Sequence, residues 1–196
     1  MYDRFYLFRF SCLEYTAVVH DMDFSALTST ATAEYVTDGF LTFGYGVKSE
    51  SIKNENTSYA ADEVTFEKQV FLTTGKVQYA VPKNAPEGST DKYWNNCISF
   101  VVPEGKTATV TVYAALKSDK TDISLTVLDD NASAVTVSNL TKDGVSIDSF
   151  DALSPSANSV TKYVFTLTAG SYHLGGTSGG AYVYDVLVSL AWLNIN

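Results

Sequence analysis

The chain has 196 residues, of which 45% are hydrophobic and 13% aromatic, and its formal net charge is −9. This length is typical of one domain, and the apolar fraction is sufficient for a packed core, which excludes a disordered chain. Nucleic acid and anionic membranes require clustered Lys and Arg, and Arg4 and Arg9 are the only arginines, so neither is a predicted partner. The sequence also contains no apolar run approaching the roughly 20 residues of a membrane span.

The first 21 residues precede the regular pattern. Tyr6, Phe8 and Phe10 would share one face of a strand, while the apolar stretch and cleavage site of a signal peptide are missing. Three interpretations stay open: an edge strand, a leader, or an extension through which residues 1–15 mediate self-assembly. The predicted organisation is an extension over 1–21, a single domain over 22–190 and a tail over 191–196.

The first half of the domain alternates short strands with long polar segments. Period-2 alternation predicts strands over residues 34–36, 39–46, 64–72 and 75–80. Residues 48–61, with a short strand at 51–53, and residues 82–94 are predicted to be surface loops. Loops of this length in compact domains are often functional.

The second half has clearer alternation and ends in three strands within 160–190. Further strands are predicted over residues 97–102, 107–116, 123–128 and 135–137. Residues 141–158 are polar, with one helical turn predicted at 149–153. Roughly ten short strands with regular turns predict one all-β domain, an antiparallel β-sandwich of jelly-roll type.

The sequence has few residues for nucleophilic or metal-dependent catalysis. His20 and His173 are its only histidines, and no zinc-protease, Cys-x-x-Cys or Gly-x-Ser-x-Gly motif is present. His173 is interpreted as a surface or turn residue. Most carboxylates lie in turns, where solvated charge is the usual explanation, so no enzymatic activity is predicted.

Acidic residues in the turns are candidate ligands for a hard cation, because carboxylates and backbone carbonyls can converge there on Ca²⁺. The predicted group is Asp143, Asp148 and Asp151. Plain surface charge is the alternative interpretation. No cofactor is required by the predicted function, and Ca²⁺ would be structural. Cys12 and Cys97 are the only cysteines, and their pairing stays open.

Aromatic and lysine side chains offer a candidate ligand surface. Aromatic faces can stack on sugar rings, and Lys can contact the carboxylate of an acidic sugar. Tyr93 and Trp94 lie together in a Pro- and Gly-containing loop, and Lys68, Lys76 and Lys92 lie in the half with the longest loops. The alternative is that strand tyrosines serve core or cross-strand packing.

A resemblance to a known family covers residues 23–190. It is carried, in order, by DFSALT, DGFLTFGYG, TFEKQVFL, CISFVVPEGKTATVTVYA, LTVLDD and TKYVFTLTAGSYHLGGTSGGAYVYDVLVSL. These segments resemble the β-sandwich modules appended to pectate lyases and related polysaccharide-degrading proteins of gut Firmicutes. Lys68 matches a lysine of the family pattern, whereas Phe71 stands near its next basic position and Lys76 is shifted.

The resemblance implies a non-catalytic, secreted bacterial module that binds plant cell-wall polysaccharide, with pectin-like ligands favoured. The implied sandwich is calcium-independent or calcium-tolerant, and some relatives resemble modules that use lysines against galacturonate. A structural subunit of an extracellular filament or surface assembly is the alternative. In that case the N-terminal aromatic strand would add to the sheet edge of a neighbour.

Overall fold

The structure is a computed structural model that describes residues 18–22, 24, 35–37, 39–44, 52–72, 77–81, 86–116, 125–150, 159–176 and 181–192. These ranges contain fifteen strands and a 3₁₀ turn at Ala60–Asp62, with no α-helix. The strands are β1 Val18–Asp21, β2 Tyr35–Thr37, β3 Leu41–Gly44, β4 Ile52–Tyr59, β5 Val64–Leu72, β6 Gln78–Ala80, β7 Tyr93–Asn95, β8 Cys97–Val102, β9 Lys106–Leu116, β10 Leu125–Leu128, β11 Ser138–Lys142, β12 Val145–Ser146, β13 Thr161–Leu167, β14 Gly170–Gly176 and β15 Ala181–Trp192.

Two antiparallel sheets form the sandwich. The eight-stranded sheet has the order β12-β11-β13-β9-β15-β5-β4, with β1 also paired to β15. The five-stranded sheet has the order β10-β14-β8-β3-β2, and β6 and β7 form a separate hairpin. The prediction of an all-β antiparallel sandwich is confirmed.

The core lies between the two sheets and follows from strict alternation. In β9 the residues Ala108, Val110, Val112, Ala114 and Leu116 are all buried and belong to one cluster. The same cluster includes the inward residues of β8 and β14 from the five-stranded sheet. Successive side chains of a strand point to opposite faces, so these buried residues form one apolar face on each sheet. The two sheets pack together by burying these faces against each other.

A second aromatic cluster lies on the outer face of the eight-stranded sheet. It consists of Phe66, Tyr113, Ala115 and Tyr184, which are all buried. In the pairing of β15 with β9, Val183 lies opposite Ala114 and Asp185 opposite Tyr113, so Tyr184 is an extra residue. This β-bulge breaks the alternation and gives Tyr184 a place among the outer aromatic residues.

Several predicted boundaries differ from the structure, and one of them ends the loop predicted over 82–94, where Tyr93 and Trp94 belong to β7. Residues 52–59 form β4 rather than a loop, because an edge strand paired only to β5 within the described residues needs no apolar alternation. Residues 135–137 are not a strand, and β11 and β12 instead form a hairpin around Asp143 and Gly144. β15 continues to Trp192, past the predicted domain end at residue 190.

Several predictions fall outside the described residues. They include Tyr6, Phe8 and Phe10 of the N-terminal extension, Cys12, Lys76 and Asp151. Residues 18–21 of the predicted extension form β1 and pair with β15. Cys97 is buried, with its Sγ 3.5 Å from Ser99 Oγ. Within the described residues no helix is long and apolar enough to cross a membrane.

Candidate functional site

The β6–β7 hairpin is seated on the outer face of the five-stranded sheet through two glycines. A Cβ at Gly44 would lie 1.6 Å from the backbone oxygen of Trp94, and one at Gly175 would lie 2.4 Å from Val77 Cγ2. Asn96, at φ 58°, donates its backbone N–H to Gly44 O at 2.9 Å. Because only glycine leaves room for so close an approach, Gly44 and Gly175 allow the hairpin to pack directly on the sheet.

The hairpin is locked from within by a buried amide. Asn95 is 2% exposed, and its Nδ2 donates to Ala80 O at 2.9 Å and Tyr93 O at 3.1 Å. A buried amide that is bonded to backbone carbonyls of both strands resists their separation. The hairpin is therefore a rigid element although each strand has only three residues.

This rigid hairpin presents an aromatic pair. Tyr79 lies directly opposite Trp94, with ring centroids 5.8 Å apart at an interplanar angle of 50°. Tyr79 is 58% exposed and Trp94 is half-buried. Tyr93 is half-buried and Lys92 is exposed on the same hairpin. Tyr93 is paired with Ala80, so it lies on the opposite face of the hairpin from Tyr79 and Trp94. We call Tyr79, Lys92 and Trp94 the hairpin platform.

The indole of Trp94 rests on a buried histidine. The ring centroids of Trp94 and His173 are 3.7 Å apart at 24°, and His173 is 3% exposed. His173 Nδ1 lies 2.8 Å from Ser99 Oγ, and its Nε2 lies 3.0 Å from Asp130 Oδ1. A neutral imidazole protonated at Nε2 donates to Asp130 and accepts from the Ser99 hydroxyl. The interpretation of His173 as a surface or turn residue is wrong, because Trp94 covers it.

The order Ser99, His173, Asp130 matches the residue types of a nucleophilic triad, but its surroundings do not favour acyl transfer. Ser99 lies in mid-strand, paired with Thr42 on one side and with His173 on the other. The backbone N–H groups nearby are therefore used in the sheet ladders, whereas an oxyanion hole needs donors aimed at the substrate. The array instead supports Trp94 from below.

The support that His173 gives to Trp94 can be tested through the protonation of His173. Burial lowers the pKa of His173 below its usual 6.5, against the raising effects of Asp130 and Asp129. As the pH falls, His173 is therefore protonated in the unfolded chain before it is protonated in the folded chain. The stabilisation that neutral His173 provides is complete above pH about 6.5 and is lost as the pH falls below that value. We expect the difference in unfolding free energy between the native protein and His173→Gln to shrink between about pH 7.5 and 5. Chemical denaturation of both proteins at each pH measures it, and a difference that is constant or larger at low pH contradicts the assignment.

The structure separates the predicted ligand-binding residues. Lys92, Tyr93 and Trp94 share the hairpin, whereas Lys68 lies on β5 of the eight-stranded sheet. There Lys68 lines a cavity of about 440 Å³ beside β1, β5 and β15. The sequence does not single out Tyr79 among its 13 tyrosines, because the pairing of Tyr79 with Trp94 depends on a strand register that the sequence does not state.

The predicted calcium ligands are engaged differently. Asp143 Oδ1 accepts hydrogen bonds from Tyr59 OH and from Lys162 N, both at 2.9 Å. Asp148 is exposed, and Asp151 lies outside the described residues. Among the residues that the structure describes, no group of three or more His, Cys, Asp or Glu is arranged to hold a metal ion. Structural Ca²⁺ stays a prediction.

A polar network covers one end of the outer aromatic cluster. Tyr113 OH donates to Asp62 Oδ2, and Lys162 Nζ lies 2.6 Å from the same oxygen. Burial and the Asp143 hydrogen bond raise the pKa of Tyr59 to about 12, and burial also raises the pKa of Tyr113. The hydrogen bonds from Lys162 and Tyr113 lower the pKa of Asp62. Since these hydroxyls are already bonded, the strand tyrosines here serve packing.

Comparisons with known proteins add little. No model of a known protein family matches the chain. No curated protein matches it either. Among solved structures, the CBM22-1 xylan-binding domain from Paenibacillus barcinonensis Xyn10C is similar at 14% identity, over 85% of this chain and 99% of that domain, with a TM-score of 0.37. A TM-score this low carries no argument about ligand or mechanism.

Proposed function

We propose that the chain is a non-catalytic carbohydrate-binding module that binds polysaccharide through the hairpin platform. The observation that carries the proposal is the exposure of Tyr79 beside Trp94 on a rigid hairpin. Phe66, Tyr113 and Tyr184 of the outer cluster are buried, so they offer little surface for a sugar ring. Large exposed aromatic rings held in place are typical of interaction sites, because Tyr and Trp combine apolar area with a polar group.

A further exposed aromatic side chain, Trp192, supports the choice by contrast. Trp192 is 51% exposed, but Lys106 Nζ lies 4.9 Å from its ring centroid and Gly105 lies beneath the ring edge. A ring with its own cation above it has a π-face already in use. Trp192 is therefore a matched control rather than a second platform.

We infer that pectin-like chains are the favoured ligand and that the protein acts outside a bacterial cell, where such polymers occur. Lys92 supplies the platform with an exposed ammonium group. A charge-assisted hydrogen bond to a uronate carboxylate acts at contact distance. The opposing net charge of −9 acts through solvent, where salt screens it within about 8 Å at physiological ionic strength. A local contact can therefore outweigh the general repulsion.

Affinity electrophoresis in gels containing homogalacturonan, xylan or β-glucan tests the proposal. We expect retardation in homogalacturonan, and a loss of about tenfold in affinity for Tyr79→Ala, which corresponds to about 1.4 kcal/mol. Trp192→Ala is the control and should migrate like the native protein. Free migration in all three gels, or equal losses in both variants, contradicts the proposal. If size-exclusion chromatography then shows an oligomer that is lost on removing residues 1–15, the assembly subunit is favoured.

A further inference from the structure

The eight-stranded sheet forks at β15. Along one side β15 pairs with β9 over its whole length. Along the other side it pairs with β5 from Ala181 to Val183, and then with β1 from Leu187 to Leu190. Met22 N donates to Val186 O at 3.0 Å just where β1 takes over. The two neighbours of β15 therefore diverge around residues 184–186.

A cavity of about 440 Å³ opens at this fork, and we call it the fork crevice. The first half of β5 stays paired with β4, with Tyr59 opposite Val64, so it leads away from β15. The bulge at Tyr184 widens the same point. Sites for small molecules commonly measure roughly 300–1,000 Å³. The crevice is large enough for one small ligand.

The lining of the fork crevice combines aromatic rings with a charged rim. Phe66 and Tyr184 lie 5.5 Å apart between ring centroids, at 35°. The rim carries three carboxylates and one ammonium group, from Asp21, Glu67, Asp185 and Lys68. This leaves a surplus of two negative charges at the crevice, within a chain that is acidic overall. Anionic ligands are therefore disfavoured here.

We propose that the fork crevice binds a small ligand carrying a protonated amine, such as an amino sugar. An ammonium group would form charge-assisted hydrogen bonds with the rim carboxylates. Phe66 and Tyr184 are 8% and 4% exposed, so they line the crevice as packed residues, and the carboxylates provide the recognition. The hydroxyls of a sugar would form hydrogen bonds with the remaining polar groups of the lining, including Thr65. This site is separate from the hairpin platform and does not depend on it.

Calorimetric titration with D-glucosamine and with N-acetylglucosamine tests the proposal, because acetylation removes the charge and keeps the ring. At about pH 6 an amine with a pKa near 8 is protonated. We expect binding of glucosamine and at least tenfold weaker binding of N-acetylglucosamine. Equal binding of the two sugars overturns the amine assignment, and no binding of either overturns the site.

Two rim variants with opposite expected signs locate the ligand. Glu67→Gln keeps the side-chain shape, removes a carboxylate and should weaken glucosamine binding several-fold. Lys68→Gln removes the ammonium group and should strengthen it. Loss of binding in Lys68→Gln would overturn the proposal, because it would show recognition through lysine. Tyr79→Ala should leave glucosamine binding unchanged. A failure of the proposed amine site can therefore be distinguished from a failure of polysaccharide binding at the hairpin platform. Thermal unfolding of each variant confirms that it is folded.

Discussion

Replacing Gly44 by alanine is expected to destabilise the protein by about 3 kcal/mol or more, as for severe overpacking. The added Cβ would lie 1.6 Å from the backbone oxygen of Trp94 and 2.7 Å from its carbonyl carbon. Gly44 is not among the residues with positive φ, so the cost comes from space and not from backbone conformation. Relief requires the hairpin to lift, which also breaks the hydrogen bond from Asn96 N to Gly44 O. Denaturant-induced unfolding measures the loss.

Gly175 offers the matched comparison. Its added Cβ would meet Val77 Cγ2 at 2.4 Å, which is a side-chain methyl group and not backbone. We therefore expect Gly175→Ala to be rescued in part by Val77→Ala, which removes that methyl group. Truncating a side chain of the hairpin cannot rescue Gly44→Ala, because the obstacle there is a peptide carbonyl. A Gly44→Ala protein within about 0.5 kcal/mol of the native one would contradict the docking of the hairpin.

Gly44→Ala is also expected to affect polysaccharide binding. Gly44→Ala removes no group of the platform, yet lifting the hairpin would separate Trp94 from His173, which now stack at 3.7 Å. If polysaccharide binding depends on a platform held in place, the variant should lose affinity in proportion to the displaced population. A destabilised variant that binds fully would show that the rings act without their support.

Much of the architecture follows from alternation in the sequence. The bounds predicted for residues 64–72 and 97–102 coincide with β5 and β8, and the strand predicted over 107–116 differs from β9 by one residue. These segments have one face buried in the core, so their apolar residues recur with period 2. Only a short strand at 51–53 was predicted where β4 covers residues 52–59, because its residues, IKNENTSY, are mostly polar and an edge strand requires no apolar alternation.

The bulge in β15 could not be predicted from alternation. Tyr182, Tyr184 and Val186 read as one face in the sequence, yet Val186 is in the core while Tyr184 is in the outer cluster. The extra residue is visible only in the pairing with β9, which is a property of two strands. The fork crevice depends on this register shift, so nothing in the local sequence indicates it.

The sequence singled out Tyr93 and Trp94, which the structure places on strand β7 of the hairpin rather than in a loop. Tyr93 and Trp94 stood out because paired aromatic residues in a Pro- and Gly-containing loop are unusual. The burial of His173 depends on Trp94, which is remote in sequence, so a local reading assigned it to the surface. Gly44 lies within the strand predicted over residues 39–46, and a glycine within a strand often marks close approach of another backbone.

Replacing Phe66 by alanine is the second large expected effect, and it decides what the outer aromatic cluster does. Phe66 is 8% exposed, and its ring centroid lies 5.2 Å from that of Tyr113 and 5.5 Å from that of Tyr184. Removing a buried ring costs the transfer free energy of its atoms and leaves a cavity, together about 3–5 kcal/mol. We therefore expect Phe66→Ala to be destabilised nearly as much as Phe165→Ala, whose ring is 1% exposed in the main core.

Tyr79→Ala provides the opposite case, because a substitution at an exposed side chain usually changes stability by less than about 0.5 kcal/mol. Unfolding free energies of the three variants, measured in one denaturant series, separate two roles for aromatic residues in this sandwich. A large cost at Phe66 and a small one at Tyr79 would identify the outer cluster as a second core and leave the hairpin as the surface for polysaccharide. A small cost at Phe66, together with weaker polysaccharide binding, would contradict that division. The polysaccharide would then bind on the eight-stranded sheet. A ring whose removal costs little unfolding free energy but much affinity contacts the ligand and not the core.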